Sequence, residues 1–178
     1  MDKIQLMLRQ FSPSSAFGIY AVISIAFSLF IAGCAKAPNY SPIPELTYQG
    51  LNKVELKQGE FNTDSLSIQV SFKDGDGDIG TTAETEEPNL IIVDSRTNQN
   101  YASYKVPPIP LQGANNGIEG TMLIKIYSTC CRFPDGTPPC LAPPKFPTDK
   151  LSLDIYLVDK AGNKSNVIKT GEITLLCQ

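Results

Sequence analysis

The sequence predicts an all-β domain, a Greek-key sandwich of seven short strands. Three observations carry this expectation. Apolar residues fall in short alternating runs, the period of a strand with one buried and one wet face. Fourteen prolines and thirteen glycines punctuate those runs, too many for long helices. Long turn-rich segments separate several of the runs, as crossings between two sheets require.

At 178 residues the chain is long enough for one compact domain behind an N-terminal targeting and linker region. Residues 1–16 carry Lys3 and Arg9, and residues 17–32 are uncharged and rich in Ile, Phe, Val, Leu and Ala. That is the charged and then apolar pattern of a secretory signal. The run ends at Ile31, Ala32, Gly33 and Cys34, four positions that closely resemble the signal of bacterial lipoproteins, the lipobox. The resemblance implies a signal peptide over 1–33, cleaved before Cys34, with diacylglycerol on the Cys34 sulfur and an acylated new amino terminus. Several acyl chains exceed the single-chain anchor that holds only reversibly, so the membrane is the expected permanent partner. Ala35 stands where the familiar inner-membrane retention signal has Asp, which points to the outer membrane. Lipoproteins displayed on the surface of Bacteroidetes have acidic residues after the Cys, whereas Lys36, Ala37, Pro38 and Asn39 follow here. The protein is therefore expected to face the periplasm.

Residues 34–45 read as the lipidated Cys and a flexible tether, since Pro38, Pro42 and Pro44 favour extended backbone. Its eleven residues after Cys34 reach roughly 30 to 35 Å at about 3.1 Å each. The domain proper is expected over 46–178. Its first strand, irregular and at an edge, lies within 46–56. Leu66, Ile68, Val70 and Phe72 alternate with Ser67, Gln69, Ser71 and Lys73 and make the clearest strand. Strands over 89–94 and 101–106 flank the turn-rich 95–100 and form a hairpin. Pro107, Pro108, Pro110 and the Gly/Asn stretch to Gly117 cross to the next strand, 121–130, which places Met122, Ile124, Ile126, Ser128 and Cys130 on one face. After a Pro-rich loop, Leu151, Leu153, Ile155 and Leu157 alternate. A final strand ends at Ile173, Leu175 and Cys177.

Residues 71–80 read Ser-Phe-Lys-Asp-Gly-Asp-Gly-Asp-Ile-Gly. Asp74, Asp76 and Asp78 put three carboxylates into five residues, with Gly75 and Gly77 letting the backbone fold tightly between them. Two carboxylates about 5 Å apart repel by roughly 3 kcal/mol at an effective dielectric near 20, so a counter-charge is expected. A hard cation held by oxygen, calcium, is the expected cofactor. The loop is not an EF-hand: the sixth position from Asp74 is Ile79 where Gly is needed, and the twelfth is Thr85 where Glu is needed. The competing reading is a solvated Asp/Gly turn, which these residues favour without any ion. Glu84, Glu86 and Glu87 continue the acidic stretch.

The turn at 159–165, Asp-Lys-Ala-Gly-Asn-Lys-Ser, resembles the turn that precedes the last strand of bacterial immunoglobulin-like domains. Together with the Asp/Gly loop and the Cys130, Cys131 pair, it also resembles a group of Bacteroidetes lipoproteins. These resemblances imply an immunoglobulin-like sandwich and a cell-envelope address, and no activity. In such a sandwich the loop after the second strand and the loop before the last lie at one end. Asp159 and Asn163 are then candidates to complete the metal shell, or else simply cap their own turn.

Setting Cys34 aside, Cys130, Cys131, Cys140 and Cys177 form an even set in an exported domain, which favours disulfides. A thiolate zinc site competes, but adjacent Cys130 and Cys131 lack the usual ligand spacing. Adjacent strand residues point to opposite faces. Cys130 shares the apolar face of Ile124 and Ile126, and Cys177 that of Ile173 and Leu175. The expected bridges are therefore Cys130–Cys177 and Cys131–Cys140.

The sequence contains no His, which removes the commonest general base and every Ser/His or Cys/His nucleophile pair. Loss of Lys3, Arg9 and Asp2 with the signal leaves thirteen basic and seventeen acidic residues, net −4, an unsuitable balance for nucleic acid. The expected function is a non-enzymatic, calcium-stabilised envelope module with a binding or structural role, its partner an envelope protein or glycan. The alternative is a carboxylate-dependent envelope hydrolase or a glycan-binding accessory lipoprotein, although no two acids single themselves out as a catalytic pair.

Overall fold

The computed structural model describes residues 39–60, 62–80, 87–110 and 117–178. The signal segment 1–33, Cys34, residues 35–38 of the tether, and Glu84 and Glu86 lie outside the described residues. Among the described residues no helix is long and apolar enough to cross a membrane.

The described fold is all-β. Its strands are β1 (Glu45–Leu51), β2 (Glu55–Lys57), β3 (Ser65–Asp74), β4 (Leu90–Asp94), β5 (Gln99–Tyr104), β6 (Ile118–Tyr127), β7 (Thr148–Leu151), β8 (Leu153–Leu157), β9 (Ile168–Lys169) and β10 (Ile173–Leu176). They form three sheets, ordered β1-β3-β6, β2-β10-β7 and β5-β4-β8-β9. Every pairing is antiparallel except β2 with β10.

Ten described strands stand where seven were expected, because side-chain alternation does not register a change of hydrogen-bond partner. Leu151, Leu153, Ile155 and Leu157 are all at most 1% exposed, so the pattern reads as one strand. Ser152 nevertheless divides it: Leu151 pairs with Ile173 of β10, and Leu153 pairs with Asp94 of β4. The last expected strand divides in the same way into β9, paired with β8, and β10, paired with β7 and β2. The expected edge strand over 46–56 becomes β1 and β2, in different sheets. The predicted hairpin is present as β4 and β5, closed by a turn in which Thr97 and Asn98 N–H donate to the Asp94 carbonyl.

The core is one cluster. The inward residues of β3 (Leu66, Ile68, Val70, Phe72) pack with Ile118, Ile124 and Ile126 of β6, with Leu90 and Ile92, and with the buried positions of β8 and β10. Arg96 ties the hairpin turn to β7. Its guanidinium donates to both oxygens of Asp94 and to Asp149 Oδ2. Burial disfavours its charge, but these carboxylates outweigh that and hold the Arg96 pKa above its ordinary value.

The disulfides correct the expected pairing. The structure joins Cys130 to Cys140, with Cα atoms 4.6 Å apart, and Cys131 to Cys177, at 5.9 Å. β6 ends at Tyr127, so the alternation that placed Cys130 inward no longer holds three residues later. Beyond the strand the phase slips by one. Cys131 is 0% exposed against Cys177, while Cys130 is only partly buried. Non-reducing peptide mapping of the oxidised protein should therefore recover Cys130–Cys140 and Cys131–Cys177. Replacing both members of the longer bridge with Ser should cost about 4 kcal/mol of stability, against about 3 for the shorter.

Asp64, just before β3, accepts hydrogen bonds from Lys53 Nζ, Lys57 N–H and Ser65 N–H and so joins β2 to the start of β3. These donors, Lys53 foremost, lower its pKa from 3.8 to about 2. A depressed carboxyl stabilises the fold above its unfolded pKa and loses that contribution as pH falls through the folded one. In paired melts, the advantage of wild type over Asp64→Asn should be complete above about pH 5, fall through the interval between the two pKa values and be gone near pH 1.

Candidate metal centre

Asp74 is the last residue of β3 and pairs with Ile118 of β6. It lies two positions beyond Phe72 on the strand's inward face and is 0% exposed. The chain then turns at once. Gly75 N–H donates to the Ser41 carbonyl at 2.7 Å, and a Cβ at Gly75 would run into the backbone of Tyr40 and Ser41, so only Gly permits this approach. Gly77 adopts φ +76°, the left-handed conformation that favours Gly. Asp78 N–H then donates back to Asp74 Oδ2 at 3.0 Å and closes the loop. Ile79, 0% exposed, plugs the loop into the core, and its carbonyl accepts a 2.6 Å bond from Asn89 Nδ2.

The three carboxylates converge: Asp74, Asp76 and Asp78 each offer an oxygen within 4.8 Å of the others. Two ligands on one calcium at about 2.4 Å can lie at most about 4.8 Å apart, so the three oxygens are close enough to share one cation, with Asp74 buried, Asp78 part-buried and Asp76 exposed. Asp74 Oδ1 and Asp78 Oδ1 are buried and accept no hydrogen bond. Burial first, and then the charges of Asp76 and Asp78, raise the Asp74 pKa from 3.8 to about 6. Asp78 is also raised, by burial first and then by Asp159 and Asp76. A buried carboxylate oxygen without a partner is costly, and a hard cation satisfies both such oxygens at once. The donor set is all oxygen, with neither imidazole nor thiolate, which fits calcium better than a transition metal.

The turn at 159–165 docks on this loop. Lys160 N–H donates to the Asp78 carbonyl at 3.3 Å and Ala161 N–H to Asp78 Oδ2 at 3.0 Å. Asp159 and Asn163 mainly hold each other: Asn163 N–H donates to Asp159 Oδ1 at 2.7 Å and Asn163 Nδ2 to Oδ2 at 2.9 Å. Their side chains close the turn beside the three clustered carboxylates. Glu60, Cys130 and Cys140 also come close together, but both sulfurs are in a disulfide and are not thiolate ligands.

Three supporting residues escaped the sequence reading. Asn89 fixes Ile79 with its amide and accepts from Val106 N–H through Oδ1 at 2.8 Å. Its position after Pro88, opening an apolar run, is the only signal of that role. Tyr40 and Ser41 were read as free tether, yet Ser41 holds Gly75 and the Tyr40 hydroxyl donates to Glu119 Oε2 at 2.7 Å. Pro44 is buried as well, so the tether is fastened to the domain several residues before β1. Comparison with family models, curated proteins and solved structures finds no match to this chain.

Proposed function

We propose that this chain is a non-enzymatic, lipid-anchored module of the cell envelope, held at the outer membrane through Cys34, facing the periplasm and stabilised by calcium. The observation that carries the calcium reading is Asp74: fully buried, with one oxygen unpartnered and two further carboxylates beside it. Asp74, Asp76 and Asp78 supply the charged ligands. The docking of the 159–165 turn on Asp78 supports an immunoglobulin-like Greek-key arrangement, in which these two loops share an end. The absence of His from the sequence supports a binding or structural role over hydrolysis.

Melting the full chain in detergent, with chelator and then with calcium, tests the ion. At ten times Kd, calcium should stabilise the fold by about 1.4 kcal/mol, a rise in Tm of about 5 °C. Asp76→Asn should weaken this response. Asp74→Asn should abolish it while raising Tm in chelator, because it removes a buried and repelled charge. Equal melting in calcium and chelator, with no heat of binding, reduces the loop to an acidic turn. Fractionation tests the anchor separately: wild type should be acylated and membrane-bound, and Cys34→Ala unacylated and released. Membrane retention of an acylated Cys34→Ala protein overturns that part.

A further inference from the structure

A cavity lies at the opposite end of the β3–β6 ladder. In that ladder Asp74 pairs with Ile118 and Ser65 with Tyr127, so nine residue steps, roughly 30 Å, separate the acidic loop from the far end. The cavity, of about 370 Å³, is lined by Tyr101, Tyr104 and Tyr127 together with Asn62, Gln99 and Arg132.

The cavity wall is held in place by bonds that a ligand need not supply. Tyr101 donates its hydroxyl to the Tyr127 carbonyl, and Tyr104 donates to the Lys125 carbonyl at 2.6 Å. Both rings are therefore fixed against the edge of β6. The stretch after β6 is clamped by the two disulfides at Cys130 and Cys131, and Arg132 N–H donates to Asp149 Oδ2 at 2.9 Å. Asp94, the buried acid at the cavity, is already neutralised by Arg96. What the site offers a ligand is side-chain amides, one guanidinium and three tyrosine rings, of which the Tyr127 ring already has Lys125 Nζ 5.0 Å from its centroid, with no unpaired buried carboxylate.

We infer that this cavity binds the end of an oligosaccharide. A sugar has apolar C–H faces that suit tyrosine rings and a rim of hydroxyls that both donate and accept. Amides are among the few side chains that also do both. The volume falls at the small end of ligand pockets, roughly 300 to 1,000 Å³, and suits a chain end rather than a long polymer. Rings and loops already fixed lose little freedom on binding, which lowers the entropic cost. A phosphate-rich ligand would call for several cations where Arg132 stands alone in the lining, and an apolar one would leave the amides unsatisfied. The inference gives the binding role a ligand class, and it depends on neither the lipid nor the ion.

Titrate the full chain in detergent with chitotetraose, maltotetraose, mannotetraose and tetragalacturonate, reading calorimetric heat and tyrosine fluorescence. The sequence has no Trp and seven Tyr, three of which line the cavity, so fluorescence reports on the site. At least one probe should saturate. Tyr127→Ala, which removes a ring that is part of an exposed residue, should weaken that binding about tenfold or more, the effect of losing one aromatic contact. Gln99→Ala, at an exposed position in the hairpin, should weaken it several-fold at unchanged Tm. Failure of all four probes to saturate at millimolar concentration overturns the inference. So does saturation indifferent to both substitutions, which places the sugar elsewhere. Because the probes are tested alike in calcium and in chelator, loss of the calcium response leaves this result standing.

Discussion

The constraint on which the rest of the structure depends is the phase of β3. Once Leu66, Ile68, Val70 and Phe72 face the core, the two-residue period commits position 74 to the interior as well. That position is an aspartate. Sliding the strand by one residue to release it would turn four large apolar side chains to water, at roughly 1.5 to 3 kcal/mol each. Such a loss exceeds the cost of one strained carboxylate. The acidic centre is thus buried by the same packing that makes the core, and the loop that follows has to accommodate a charge it cannot move.

Much else at this end exists to meet that condition. Gly75 brings the incoming chain onto the loop, Asn89 pins Ile79 beneath it, and the 159–165 turn covers Asp78 with two backbone N–H groups. The far end is rigid for unrelated reasons: two disulfides, the Arg96 pair with Asp94 and Asp149, and tyrosine hydroxyls bonded across to β6. The molecule has two stiff ends joined by its longest strands, and they differ in chemistry as well as position. One is acidic, the other amide-rich and aromatic.

The local layer of this design was legible in the sequence. Alternation located the inward faces of β3, β6 and β8, the turn residues located the hairpin, and the Asp/Gly spacing located the carboxylate cluster. The meeting of that cluster with the 159–165 turn was legible through resemblance. What could not be read were choices made in three dimensions. Nothing in the run Leu151 to Leu157 tells that Ser152 hands the chain from one sheet to another. Nothing in the three residues of β2 tells that they run parallel to β10. The disulfide pairing failed for a definite reason, since it extended a strand's period past the residue where the strand stops. Tyr40 and Ser41 failed in the opposite sense, because a Pro-rich composition says that a segment is extended and is silent on whether it is bound.

The place where the chain joins the domain also decides how the module bears load. Tyr40 and Ser41 sit against Gly75, immediately beyond Asp74, and both β3 and β6 run lengthwise away from that point. A pull delivered through the incoming segment, resisted by anything gripped at the Tyr127 end, acts along the strand axes. Antiparallel ladder bonds lie across that axis, so they are sheared together rather than unzipped one at a time. A load along that line would therefore meet the β3–β6 ladder in shear.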